Sequence, residues 1–414
     1  MNQPSNDQQP DPRDALYRSI EESVAAWRDR LVDASHDLHD HPELAFEETR
    51  SAERVAGLLA SAGFATRVGA YGLDTAVEAV FGTGSLTVTV CAEYDALPGI
   101  GHGCGHNIIA TAGVGAAIAL AGVADELDLR IKLLGTPAEE VGGGKALMLE
   151  AGAWEDATVS LMVHPGPSMS VRTSELLSQG RDRFRVTFHG HAAHAAAAPE
   201  AGINAGDAAT LLQVALGLLR QQLPDRVRLS AVTLNAGDVS NIIPATATLE
   251  GEVRSIDADQ QRRLKERYLA CVEGAAIATG CTFEVTPVDP VYEPLVQHPF
   301  LADRYDAAIE RAGREIQSMP FGGTGGSTDM GNVSQVVPSI HPAIAVIGAK
   351  GMAHTAEFAA ETDTPAADEA IGVAAVAMAS AIIDLATDPE ARADVLAQQR
   401  ARPAGATRKP AYPA

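Results

Sequence analysis

Aromatic residues are scarce in this chain, at 4%, and cysteine is scarcer still, with four in 414 residues. Four thiols and no secretion signal exclude a disulfide framework as the source of stability and leave cysteine free to serve as a ligand. Basic residues are outnumbered, 31 Lys and Arg against 54 Asp and Glu, for a net charge of −23. Binding nucleic acid through its phosphates needs basic residues concentrated on one face, so no nucleic-acid partner is expected. An acidic field also repels anions at long range, so a substrate carboxylate would have to be met by a local Arg or Asn. The N-terminal MNQPSNDQQPDPRD has no basic segment leading into an apolar one, so export is not indicated and a cytoplasmic location is expected. The longest apolar run, Ile371 to Ile383, is alanine-rich and too short for a bilayer span, which predicts a buried helix and no membrane partner.

Against these absences stand 46% hydrophobic and 21% charged residues, ample apolar material for packed cores. The length exceeds what one core sustains, roughly 250–300 residues, so two compact units are expected. Helical spacing starts at Leu16, and a second amphipathic stretch, Thr49 to Ala62, stops at Gly63. The strand-like runs TAVEAVFG, LTVTVCAEYD, LRIKLLGTPAEE and VSLMVHPG then alternate with alanine-rich helical stretches, which predicts an α/β unit with a mainly parallel central sheet. From Arg181 the order becomes β-α-β-β-α-β, the split pattern of a ferredoxin-like α+β unit. The organisation read here is a catalytic domain over 15–180 and 291–387, a lid inserted at 181–290, and frayed polar tails at 1–14 and 388–414.

The densest chemical signal is GIGHGCGHN, which sets Cys104 and His106 two apart on a glycine-rich loop after a strand. Such a pair can face one metal ion, although a His beside glycine is more often a turn or core residue. Glu139 and Glu140 follow the strand LRIKLLG, His164 follows VSLMV, and His354 comes shortly after AIAVIG. Carboxyl ends of parallel strands converge on one crevice, so four strand ends offer ligands to a common place. Taken singly, each has a bland alternative, an acidic helix start for the glutamates and a structural role for each lone histidine. Together Cys104, His106, Glu140, His164 and His354 are enough for two ions, with Glu139 left over. A carboxylate left over beside a metal can take a proton from an activated water and pass it to a leaving nitrogen, the task of a general base.

AEYDALPGIGHGCGHN, TPAEE, VHPG, STDMGNVS with VPSIHP, and GMAHTAEF, in this order from about His39 to Leu385, resemble the aminoacylase and carboxypeptidase G metallopeptidase family. The branch they are most similar to is that of p-aminobenzoyl-glutamate hydrolase and the indole-acetyl-amino-acid hydrolases. The resemblance implies a zinc-peptidase-like catalytic domain with two divalent ions, Zn or Mn, and a lid that forms a homodimer contact. It implies the same five ligands, Glu139 as base, and Glu93 and Asp95 behind the ligands, Glu93 being the preferred of the two. In the lid it implies that His194, in HAAHAAAAPEAGINA, reaches the partner's active site to stabilise an oxyanion, and that Asn241 and Arg254 hold the substrate. From composition alone His194 would be a surface loop residue and Arg254 an outward-facing strand residue. Glycine-rich GGTGGSTDMGN, Gly322 to Asn332, has the backbone freedom to line a pocket. Two departures stand out: Cys104 where the wider family often has a bridging Asp, and Cys91 where it has His or Arg. Cys91 reads better as a small buried strand residue than as a ligand.

The activity this implies is hydrolysis of the amide of an N-acyl, aroyl or aminoacyl amino acid. Dipeptide cleavage or aromatic-amine deamination would use the same residues. A non-catalytic scaffold is the alternative of a different class, and the retained Glu139 speaks against it.

Overall fold

The computed structural model describes residues 11–167, 170–319 and 326–413. Strands β1 (Ala65–Val68), β2 (Val77–Phe81), β3 (Leu86–Glu93), β4 (Leu129–Thr136), β5 (Val159–Leu161) and, from late in the chain, β13 (Ser339–Ile340) form one sheet. Their order is β1-β2-β4-β3-β5-β13, with β4, β3, β5 and β13 parallel and β1 and β2 antiparallel at one edge. All eight residues of β3 are buried, as a central parallel strand covered on both faces requires. Beside this sheet β6 (His164–Pro167) pairs in parallel with β14 (Ala343–Val346), and β7 (Ser170–Val171) with β12 (Ile316–Gln317).

Helix His106–Ala121 is apolar on every side because it is the middle layer, packed between the sheet and the helices Asp14–Asp40 and Pro365–Thr387. Its small residues let the layers approach: a Cβ on Gly115 would lie 3.0 Å from both Ala375 and Leu31. Helix Pro365–Thr387 is, among the described residues, the one helix long and apolar enough to cross a membrane, yet its Ala374, Met378 and Ile382 are fully buried in this core.

The inserted segment has its own sheet: β8 (Gly180–His189), β9 (Arg228–Asn235), β10 (Thr246–Ser255) and β11 (Thr282–Pro287), antiparallel in the order β11-β8-β10-β9. Helices Ala205–Arg220 and Ala258–Thr279 cover one face, and a separate core forms around Phe184, Phe188, Leu212, Leu249 and Tyr268. This is the β-α-β-β-α-β order expected. The chain enters and leaves the lid side by side, Arg181 and Tyr292 exchanging two main-chain hydrogen bonds of 2.8 Å.

The expectation of a frayed tail over 388–414 is corrected. Asp388 accepts hydrogen bonds from the Glu390 and Ala391 N–H groups and starts helix Pro389–Ala401, with proline at its first position. Val395 is fully buried, and Arg392 donates to the Leu127 carbonyl at 2.8 Å. Beyond the helix, Ala411 accepts from the Val291 N–H, and Arg408 pairs with Glu155. A cap, a few buried side chains and these polar ties dock a segment whose overall composition looks unstructured. At the other end, residues 1–10 lie outside the described residues, and Arg13 is tied to Asp11 and to Asp384.

Candidate metal centre

Three adjacent parallel strands, β4, β3 and β5, end along one edge of the sheet, and the loops that follow them meet there. After β3, Gly105 in the left-handed region (φ 72°) turns the chain into the helix whose first residue is His106. A Cβ at Gly105 would lie 2.5 Å from Pro165, so only glycine lets this loop approach the His164 segment. The result is two triplets of donor atoms, Cys104, His106 and His164 in one and Cys104, Glu140 and His354 in the other, each with its atoms within 4.8 Å of one another. Cys104 belongs to both. A third triplet, His106 with Glu139 and Glu140, joins the adjacent carboxylates to them. Glu139 and Glu140 are not a helix start, since the next helix begins only at Gly144.

His106 is fixed by its Nδ1, which meets the Asp95 carbonyl at 2.8 Å and its Oδ1 at 3.0 Å, leaving Nε2 bare. Asp95 also accepts the Glu140 N–H at 2.9 Å through Oδ2, so one carboxylate orients two candidate ligands. Of the two acidic residues expected behind the ligands, with Glu93 preferred, it is Asp95 that makes the direct hydrogen bonds. Glu93 lies 3.5 Å from the bare His106 Nε2 and pairs with Lys145 on its other side. His164 turns its Nδ1 to the Pro165 carbonyl at 2.7 Å. His354 is the exposed member, with a left-handed backbone (φ 68°) and its Nε2 3.4 Å from Glu140 Oε2.

A cation fits this donor set. His106 Nε2, Glu140 Oε1 and Glu93 Oε2 are buried with no hydrogen-bond partner among the described residues, and all three converge on the cluster. Burial would push the His106 pKa down, but the Asp95 carboxylate beside it holds it well above the usual imidazole value. Burial and the charges of Glu93, Glu140 and Asp329 raise the Glu139 carboxyl well above its ordinary value. Both shifts are those of a pocket short of positive charge. Cys104 is pushed up by burial, so its thiol needs a positive partner to ionise.

His194 is exposed in the lid, where its Nδ1 accepts from the Ala196 and Ala197 N–H groups at 3.2 Å each. Those two bonds put the neutral ring's proton on Nε2, which makes the free side a donor. Asn241, also exposed, accepts the Ala195 N–H through its main-chain carbonyl at 3.0 Å. Arg254 meets both oxygens of Glu252 through Nε and NH2 and reaches Ser327 Oγ at 3.1 Å through NH1. Of Gly322 to Asn332, positions 322–325 lie outside the described residues. Cys91 joins no donor cluster among the described residues; its sulfur is 3.6 Å from Ser160 Oγ, and burial raises its pKa to about 12.

A model of the peptidase family M20/M25/M40 matches residues 89–383. The chain belongs to this family. It is 34% identical over 391 residues to the Xaa-Arg dipeptidase of Mus musculus, covering 90% of each chain. It is 32% identical over 289 residues to one of the subunits of p-aminobenzoyl-glutamate hydrolase from Escherichia coli (strain K12), covering 65% of this chain and 60% of that protein. Its fold is similar to that of a dinuclear metal binding peptidase of this family from Bacillus subtilis, with a TM-score of 0.67 and 22% identity over 87% of this chain and 99% of the other. As an M20/M25/M40 peptidase the chain is a hydrolase of amide or peptide bonds.

In this family member the sequence reading assigned no part to Lys145, Asp329, His341, Glu48 and Tyr292. Lys145 is fully buried and bonds Glu93 and, at 2.7 Å, Asp329 Oδ1, while its N–H donates to Asp329 Oδ2. The His341 ring stands edge-on to His164 with centroids 5.7 Å apart, and burial pulls its pKa to about 3. Asp329 and His341 sit within STDMGNVS and VPSIHP, so those motifs were the available signal. For Glu48 and Tyr292 no local pattern marks the position.

Proposed function

We propose that this chain hydrolyses the amide between an acyl or aminoacyl group and an amino acid with a free carboxylate, on two divalent ions. The observation that carries this is the pair of donor triplets sharing the buried Cys104, with Glu139 against them. Thiolate and imidazole suit Zn, and the carboxylates suit Mn equally. Cys104, His106 and His164 would hold one ion, and Cys104, Glu140 and His354 the other. Bound divalent ions would polarise the scissile carbonyl and acidify a water. Glu139 takes the proton of the attacking water and delivers it to the departing nitrogen.

His194 supplies an Nε2–H donor to the developing oxyanion of a partner subunit. Its exposure in its own chain supports that reading. So does the lid's outer surface: β9 is an edge strand with Val232 and Leu234 about half exposed, next to a helix that exposes Leu211, Val214 and Leu218. Two copies meeting there form the homodimer. Arg254 and Asn241 hold the substrate's carboxylate and carbonyl. Among substrates, a dipeptide ending in a cationic residue is favoured over an aminobenzoyl-glutamate, because a net charge of −23 attracts the first and repels the second. The similarity to an Xaa-Arg dipeptidase over 90% of both chains points the same way. Four free cysteines suit the reducing cytoplasm.

The test combines metal content by mass spectrometry with hydrolysis of dipeptides, N-acyl amino acids and aminobenzoyl-glutamate. Wild type is expected to hold two divalent ions per chain and cleave one of these classes. Glu139→Gln is expected to keep the ions and lose about 10²–10⁴-fold in kcat. A wild type that stays inert after addition of Zn or Mn overturns the reading in favour of a scaffold.

A further inference from the structure

Glu139 stands on a backbone that needs holding. Ala138 before it is a non-glycine residue in the left-handed region, φ 59°, and the segment belongs to neither strand nor helix. Three consecutive residues are each held by one buried side chain. The Ala138 N–H donates to Glu48 Oε1 at 2.9 Å, the Tyr292 hydroxyl donates to the Glu139 carbonyl at 2.6 Å, and the Glu140 N–H donates to Asp95 Oδ2 at 2.9 Å. Asp95 is accounted for by its grip on His106. Glu48 joins no donor triplet among the described residues, and both Glu48 and Tyr292 are buried to within 1%.

Tyr292 is itself braced on three sides. Its main chain pairs with Arg181 where the lid begins and ends, and the Arg181 guanidinium lies 4.4 Å from its ring centroid. The loop after Glu140 packs so closely that a Cβ on Gly143 would come within 2.9 Å of the ring. A rigid ring thus carries one hydroxyl to one carbonyl, that of the residue read as the general base. Glu48 is braced likewise, its Oε2 accepting the Thr75 hydroxyl at 2.8 Å.

We infer that Tyr292, assisted by Glu48, is a positioning residue that fixes Glu139 from the lid hinge. This rests on the reading of Glu139 as base. Without the hydroxyl the Glu139 carbonyl has no donor among the described residues, the strained turn relaxes, and the carboxylate drifts from its working position.

The experiment compares wild type, Tyr292→Phe and Glu48→Ala. Four quantities are measured: kcat and KM, metal per chain, the thermal midpoint, and hydrogen–deuterium exchange of the peptide spanning 136–142 in metal-free protein. Tyr292→Phe is expected to lower kcat about 10–100-fold, as misplacement of a catalytic group does, with KM and metal content near wild type. Exchange over 136–142 is expected to quicken at least about tenfold, as loss of a local brace does, and to stay unchanged elsewhere. Glu48→Ala, freeing the same turn from the other side, carries the same test should Tyr292→Phe not fold. A Tyr292→Phe kcat within about twofold of wild type, or a loss that merely follows lost metal, overturns the inference. An inert wild type removes the role of Glu139 and this inference with it, whereas an active wild type with a fully active Tyr292→Phe removes this inference alone.

Discussion

Lys145 places an ammonium group where no water reaches it, between Glu93 and Asp329, with Glu139 close behind. Removing one partner of a buried ion pair leaves the rest uncompensated, which typically costs about 3–5 kcal/mol. Lys145→Met is therefore expected to destabilise the metal-free protein by about that much, measured by denaturant unfolding, and by less once divalent ions supply positive charge nearby. An equal loss with and without metal would show that Lys145 does not share in neutralising the cluster. At this scale the sequence was legible wherever a residue sits at a strand end. Cys104, His106, Glu139, Glu140, His164 and His354 all could be picked out because parallel topology sends strand ends to one edge. It was illegible where charge is balanced in space: a lysine after three glycines looks like a solvated helix start, and only folding brings it beneath Glu93. The exchange of emphasis between Glu93 and Asp95 has the same origin. Two residues apart on an extended segment, both face His106, and which of its two nitrogens each one meets depends on the helix that presents His106.

Helix Pro299–Arg311 shows how an element's end can respond to acid. His298 caps it, its ring accepting the Leu301 N–H, and burial holds the imidazole pKa below its usual value. The folded chain binds this proton less readily than the unfolded chain. The stability it contributes is complete above about pH 6.5 and is lost as pH falls below that. The thermal midpoint is expected to drop as pH falls below about 6.5, and to drop less in His298→Asn, which keeps an acceptor and does not titrate. Equal slopes in the two proteins would remove the cap from the account. Elements as such were well marked in the sequence, from the alternating strands of the first sheet to the split pattern of the lid. The helix Pro389–Ala401 was not, because composition outweighed its start signal, Asp388 followed by Pro389.

For the whole molecule, the proposed pairing of two copies, in which each lid would complete the other's site, makes a prediction no monomer can satisfy. His194→Ala and Glu139→Gln are each expected to be nearly inactive alone. Unfolded and refolded together they are expected to regain roughly a quarter of wild-type activity, because half the dimers are mixed and each mixed dimer has one intact site. No recovery on mixing, with dimers present by light scattering, would place His194 outside the partner's site. Nothing in a single chain's periodicity encodes such a contact. The hinge itself has a further consequence. Arg181 and Tyr292 are a hydrogen-bonded antiparallel pair, which puts their Cα atoms about 5.5 Å apart. The rest of the chain therefore closes on itself whether the intervening hundred or so residues are present or not, and the joint's closure entropy is nearly indifferent to the insert's length. The lid is in this sense a cassette: gene rearrangement could shorten, exchange or add to it and leave the six-stranded sheet its own closure, while the tyrosine at the joint keeps whatever is inserted in touch with the Glu139 carbonyl.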